Sequence, residues 1–522
     1  MLRFFAWAAT ICGIIGIAAV LTIPSLLRAR ISTMRSLETP AYVALYERPP
    51  AVAHHTEDYS PITENAFRDT TREPRSTFGI DVDTASYANV RRFLDQGQKP
   101  PKDAVRTEEL INYFSYDYPE SSTGAPVSLT ASWTDCPWTP EHRLVQIGVK
   151  GRSIAPGAMP PRNLVFLVDV SGSMQDPNKL PLVQSSMRLL VDQLGEDDRV
   201  GIVAYAGSAG LVLASTPGSD RARIVSAIDG LHAGGSTAGS EGIELAYALA
   251  AQNYIERGVN RVILATDGDF NVGISSRGAL AEFIEAKRDS GVFLTALGFG
   301  MGNYKDATIE MLADRGNGNY AYVDTFREAE KVLSRELGAT LVTVAKDLKL
   351  QVEFNPARVA AYRLVGYENR VLAVEDFYDE RKDAGELGAG DSVTVLYEIV
   401  PAGTASPLPT VAPLKYQHTP ELASVASGSE LLTIRGRYQL PGDATTVATL
   451  ERSLGEHDHV EVDDAQFAAA VAAFGMLLRG SEHRGAADFD MVVDLARTRL
   501  GRDENGDRAE FLRLVNVARK LM

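Results

Sequence analysis

A chain of 522 residues, 45% hydrophobic and 23% charged, has ordinary globular composition and is long enough for two to four domains. Its formal net charge of −16 argues against a nucleic-acid binder, because neutralising phosphates takes a basic face. The two cysteines, Cys12 in an apolar run and Cys136 far outside it, give no disulfide framework.

In chain order, the first element is the run FFAWAATICGIIGIAAVLTIPSLL, Phe4 to Leu27, 24 residues without a charge. As a helix it can span a hydrocarbon core of ~30 Å. No small-x-small cleavage site follows it, so residues 1–30 are expected to be an uncleaved transmembrane anchor. Arg3 flanks one end, Arg28, Arg30 and Arg35 the other, a balance that mildly favours a cytoplasmic body. The segment GIIGIAAVLTIPSLLRAR, however, resembles the N-terminal helix of type IV pilins, without their processing glycine or early acidic residue. That resemblance implies a body outside the cytoplasm, periplasmic or at the cell surface.

Residues 31–75 are polar and proline-punctuated and read as a linker. A strand-turn-helix pattern starts at STFGIDVDTASYANVRRFL, and residues 76–160 read as a small α+β module. There Asp81, Asp83 and Thr84 look like ligands, but a turn and a helix cap account for them more plainly.

From 161 to 343 the strands NLVFLVDV, RVGIVAYAG, NRVILATDG and VFLTALGFG alternate with helical segments, which predicts a doubly wound parallel sheet. Leu180, Val183, Met187, Leu190 and Leu194 recur at helical spacing, as do Leu280, Phe283 and Ile284. GLVLAS reads as an antiparallel edge. Residues 344–522 read as β to about 400, a linker over 401–430, and a helical end with Phe467, Val471, Phe474 and Leu478, then Phe511, Leu514, Val515 and Ala518, in phase. DENGDRAEF fails as a calcium loop, since its glycine is misplaced and its twelfth position is Leu514. Asp507 as a helix cap with Glu510 three residues on is the plainer reading.

In open parallel sheets ligands bind at the carboxyl ends of strands. NLVFLVDV runs into Asp169, with Ser171 and Ser173 beside it. AGGSTAGSEG carries Thr237, and VILATDGDF ends at Asp267. Alone, each residue reads more readily as a turn former or cap. Jointly they put two carboxylates and three hydroxyls on one sheet edge, an oxygen set suited to a hard cation. Two carboxylates balance a divalent charge and leave a positive field for an acidic side chain of another molecule.

DVSGSM, GGSTAG and ATDGDFN resemble the three loops of the metal-ion-dependent adhesion site (MIDAS) of von Willebrand factor type A (VWA) domains. EELINYFSYDYP, GFGMGNYKD, GNGNYAYVDT, YRLVGYENR, DAGELGAGDSVTVLYEIVP and AAFGMLLRGSEHRG are similar to hallmark segments of bacterial YfbK-type VWA proteins, over about residues 76–522. The resemblance implies a Rossmann-like α/β VWA domain at 161–343. It implies Mg²⁺ (or Mn²⁺/Ca²⁺) held by Asp169, Ser171, Ser173, Thr237 and Asp267, directly or through water, and an open position for an Asp or Glu of a protein partner. Membrane attachment rests on this sequence and not on the family.

Catalytic patterns fail. There is no G-x-S-x-G elbow, and GFGMGN from Gly298 breaks G-x-G-x-x-G at Asn303, leaving a glycine-rich connection. His457 and His459 read as a solvated loop. The expected function is a non-enzymatic adhesion or assembly module. The alternatives are a structural part of a membrane or surface assembly with a structural metal and, remotely, a metal-dependent hydrolase with Asp269 as base.

Overall fold

The computed structural model describes residues 57–235, 240–268, 277–382, 384–409, 421–460 and 462–522. The predicted transmembrane segment, Thr237 and Asp269 lie outside them. Among the described residues no helix is long and apolar enough to cross a membrane.

The strand that carries Asp169, β5 (Arg162–Asp169), is buried along its whole length. Its side chains alternate between two cores. Leu164, Phe166 and Val168 meet Val183, Met187 and Leu190 of the helix Leu180–Val191. Val165 and Leu167 meet Ile243 and Tyr247 of Ser240–Gln252 and Leu280 and Ile284 of Arg277–Arg288. Both faces being covered, the strand needs the unbroken apolar run of its sequence. Around it lies a six-stranded sheet in the order β10 (Tyr320–Val323), β9 (Phe293–Phe299), β8 (Val259–Thr266), β5, β6 (Arg199–Tyr205), β7 (Ala209–Pro217). All neighbours are parallel except β7, which closes one edge antiparallel to β6. This is the doubly wound architecture expected from the alternation of strands and helices.

The flanking segments interleave. One antiparallel sheet runs β1 (Arg68–Asp69), β12 (Val359–Val365), β15 (Ser392–Pro401), β4 (Arg143–Gly151), β3 (Val127–Asp135). The other runs β13 (Val371–Leu372), β2 (Arg75–Gly79), β11 (Thr343–Phe354), β16 (Glu430–Leu440), β17 (Asp443–Gly455), with β14 (Leu387–Gly388) on β11. Aromatic rings join the two sheets: Phe354 stacks on Tyr362 at 4.0 Å, and Phe78 meets Tyr397 edge-on at 6.2 Å. The helix Asp463–Arg479 is buried on nearly all sides. Its Phe467 packs edge-to-face on Phe114 at 5.0 Å, and its Phe474 on Phe511 at 5.3 Å.

Four readings change. The linker expected over 31–75 gives way at its C-terminal end, because Arg68–Asp69 pairs with β12 and β2 begins at Arg75. The expected linker 401–430 is followed not by helices but by the hairpin β16–β17; its alternate positions face solvent and dilute the apolar signal. Asp507 does not cap the last helix, Asp507–Leu521. Asp503 does, accepting from the Arg508 and Ala509 amides at 3.0 and 2.8 Å, while Asp507 pairs with Arg327. Thr84 precedes the helix Ala85–Asp95 but makes no side-chain cap bond. Asp81 does close the turn, accepting from the Asp83 amide at 3.1 Å. Asp83 takes the Tyr320 amide at 2.8 Å, holding β10.

Buried arginines lock these parts together. Arg91, 2% exposed, meets Asp324, Glu328 and Glu510, carboxylates from the VWA segment and the last helix. Arg106 meets Glu109 and Asp306, and Arg370 meets Asp81 and Asp314. Removing one partner of such a cluster strands charge in the interior. Arg91→Met is expected to lower stability by about 3–5 kcal/mol in chemical denaturation.

Glu108 is the opposite case. It is 1% exposed, its Oε2 has no hydrogen-bond partner among the described residues, and burial, aided by Glu368, Asp81 and Glu109, pushes its carboxyl up to about 8. With the folded value above the ordinary 4.5, the folded state holds this proton longer than the unfolded chain does. The stability it confers is therefore full below about 4.5 and is lost as pH rises towards 8. Glu108→Gln is expected to flatten that decline and to unfold at a higher denaturant concentration than wild type at pH 9.

Candidate functional site: two buried aspartates at adjoining strand ends

Asp169 ends β5, and Asp267 immediately follows the neighbouring parallel strand β8; both are fully buried. Strand order alone sets them side by side at the carboxyl edge of the sheet. Asp169 Oδ1 accepts from the Ser171 amide at 2.8 Å, closing a tight turn. Its Oδ2 accepts from Tyr205 Oη and Thr266 Oγ1, each at 3.3 Å. The turn brings Ser171 Oγ to 3.0 Å from Ser173 Oγ. Ser171 is buried while Ser173 faces solvent, so the hydroxyl pair runs from the interior to the surface.

The second loop is stitched to the first by backbone bonds. Gly172 N donates to Gly235 O at 3.1 Å, and Gly234 N to Val170 O at 2.7 Å. Thr237, two residues beyond Gly235, lies outside the described residues. Of the five predicted site residues, four are therefore placed, all on one edge.

The third loop turns on Gly268, with φ of +99°. A Cβ there would lie 2.4 Å from the Lys305 amide nitrogen, a backbone atom that cannot move aside locally. Gly268 N donates to Thr266 Oγ1 at 3.1 Å.

Sequence reasoning missed the groups that hold the aspartates. Lys179 Nζ donates to Asp267 Oδ2 at 2.9 Å, and Asn303 Nδ2 approaches the same oxygen at 3.5 Å. Asn303 belongs to the glycine-rich connection after β9, so that connection serves the site. Farther out, Glu57 Oε1 accepts from Arg92 at 2.7 Å and from the Gly302 amide at 2.8 Å, bracing the same loop. The signal available beforehand was a lysine at the start of an otherwise apolar helical stripe. The His459 ring lies tilted against Trp133, with centroids 4.5 Å apart, and His457 is exposed.

Burial pushes the Asp169 carboxyl up to about 6, the nearby Asp267 adding to this and the bonds from Ser171 and Tyr205 opposing it. Asp169 has no basic partner among the described residues, so the burial of its ionised form is offset there by the bonds from Ser171, Tyr205 and Thr266. Oxygen donors only, two of them carboxylates, suit a hard divalent ion. No group of three or more His, Cys, Asp or Glu side chains with metal-binding placement occurs among the described residues; the candidate set relies on hydroxyls instead.

Comparison with known proteins gives three family matches along the chain. The von Willebrand factor type A domain family matches residues 163–335, a von Willebrand factor family residues 53–146, and the family described as "Uncharacterized protein YfbK, C-terminal" residues 339–521. Over 470 residues the chain is 42% identical to the uncharacterized protein YfbK of Escherichia coli (strain K12), covering 89% of this chain and 81% of that protein. It is 31% identical over 188 residues to the uncharacterized protein sll0103 of Synechocystis sp., covering 36% and 44% of the two chains. Among solved structures, a von Willebrand factor type A protein from Catenulispora acidiphila matches at 16% identity with a TM-score of 0.41, covering 76% of this chain and 92% of that one.

Gly268→Ala is expected to cost about 2 kcal/mol or more, from strained φ and the clash with Lys305. A matched drop in thermal unfolding temperature, absent from Gly210→Ala on open surface, would verify it.

Proposed function

Because the chain belongs to the YfbK-type VWA family, we propose that it is a non-enzymatic, metal-dependent protein-binding module whose partner supplies an Asp or Glu. The observation that carries this reading is the pair Asp169 and Asp267, fully buried at adjoining strand ends, with Asp169 lacking a basic partner among the described residues. Asp169, Ser171, Ser173, Thr237 and Asp267 would hold Mg²⁺, or Mn²⁺ or Ca²⁺ in its place. The bound ion would supply a positive field at an open position facing solvent, where an acidic side chain completes the shell.

The chain's own residues prepare this. Tyr205 and Thr266 fix one oxygen of Asp169, while the Ser171 amide fixes the other. The carboxylate is thus oriented before any ion arrives, which spares ordering on binding. The low-dielectric surroundings strengthen attraction for an ion that balances the charge. Ser173 is exposed, which supports approach of a partner from that side.

The apolar run Phe4–Leu27 supports a single-pass anchor, with the body outside the cytoplasm. The acidic chain favours a protein partner over nucleic acid.

The test is capture from the native envelope with the full chain in mild detergent, run in Mg²⁺, in chelator, and with Asp169→Ala in Mg²⁺. A protein retained by wild type with metal, and reduced at least tenfold in the other two arms, is the expected outcome. Equal recovery in all three arms would remove the metal from the binding mechanism.

A further inference from the structure

Lys179 is 4% exposed, and its ammonium is aimed at the candidate metal site. Nζ lies 2.9 Å from Asp267 Oδ2 and 3.4 Å from Asn303 Oδ1. The fold makes room for it. Gly300 has φ of +78°, and a Cβ there would stand 2.3 Å from Lys179 Cε and 2.7 Å from its Cγ. The lysine stem therefore runs through space that a side chain at position 300 would fill. A buried ammonium has to be paired, and here the partner is one of the two carboxylates that would bind the ion.

We propose that Lys179 is a resident positive charge of the site that weakens the protein's own hold on a divalent cation, so that ion and partner carboxylate bind cooperatively. This rests on the metal-binding reading above. With Asp169 and Asp267 opposed, among the described residues, by the Lys179 ammonium, these three side chains together offer a dication one net negative charge. The ion then leaves an excess positive charge in a poorly screened place. A carboxylate from the partner cancels that excess, so each ligand raises the affinity of the other by the same factor. Lys179 acts through Asp267 and is a positioning residue rather than a contact of the partner.

The experiment titrates Mn²⁺ into the full chain in mild detergent, by calorimetry and by the electron paramagnetic resonance of free Mn²⁺, with and without saturating N-acetyl-aspartate amide. Wild type, Lys179→Met and Lys179→Arg are compared. Lys179→Met is expected to bind Mn²⁺ at least tenfold more tightly without the aspartate. The enhancement by aspartate, at least fivefold in wild type, is expected to fall below twofold. Lys179→Arg, which keeps the charge, is expected to stay within threefold of wild type in both respects. Unfolding temperatures supply a second readout: Lys179→Met should unfold earlier than wild type in chelator and recover on adding Mn²⁺, whereas a merely structural lysine would lower both by the same amount. If Met at this position prevents folding, Lys179→Gln takes its place under the same criteria. Equal Mn²⁺ affinities in wild type and Lys179→Met would overturn the role of Lys179 and leave the metal site standing. No Mn²⁺ binding by any variant would overturn both.

Discussion

Everything at the site follows from one constraint: β5 is covered on both faces. A strand whose every side chain is committed to one of two cores has no lateral surface for chemistry. Polar groups can appear only where it ends, and there Asp169 appears. β8, its parallel neighbour, obeys the same rule, and Asp267 directly follows its last residue. Two carboxylates converge because two buried strands stop at the same height. The low-dielectric surroundings that raise the proton affinity of Asp169 would equally strengthen its attraction for the proposed cation.

Charge is also what joins the parts. Arg91, Arg106 and Arg370 each gather carboxylates from segments hundreds of residues apart, such as Arg91 with Glu328 and Glu510. Such clusters give little net stability relative to apolar side chains replacing all of their members at once. Their demand for exact partners nonetheless disfavours sliding of one module over another, which apolar contacts alone would tolerate. The two mixed-origin sheets work in the same sense, since β2 and β4 pair with β11 and β15 from the far side of the VWA domain.

Elements with a single dominant period were legible in the sequence. The stripe Leu180, Val183, Met187, Leu190 and the run of β5 announced themselves, as did the antiparallel edge β7. So did Asp169, Ser171, Ser173 and Asp267, because strand ends are local features. What escaped notice was non-local. The bond between Lys179 and Asp267 spans 88 positions, and the Tyr205 hydroxyl reaches Asp169 across 36. The hairpin β16–β17 escaped for another reason: its sequence, ELLTIRGRYQL followed by DATTVATLERSLG, alternates weakly and carries charges along one face. Asp503 was overshadowed by Asp507, a capping residue type four positions later, because spacing alone does not say which carboxylate turns back towards the amides.

The brace formed by Glu57 bears on where the folded body begins. A protein cut at Ser76, where the first regular sequence pattern appears, would lose Glu57, the two residues of β1 and the first residue of β2. Arg92 would keep its buried guanidinium without the carboxylate it faces, and the Gly302 amide beside the site would lose its acceptor. Glu57 is thus part of the loop architecture that positions Gly302 and its neighbour Asn303. Trimming for recombinant work should stop short of Glu57, and a protease that cleaved between Asp58 and Arg68 would loosen the rim of the site without touching any of its proposed ligands.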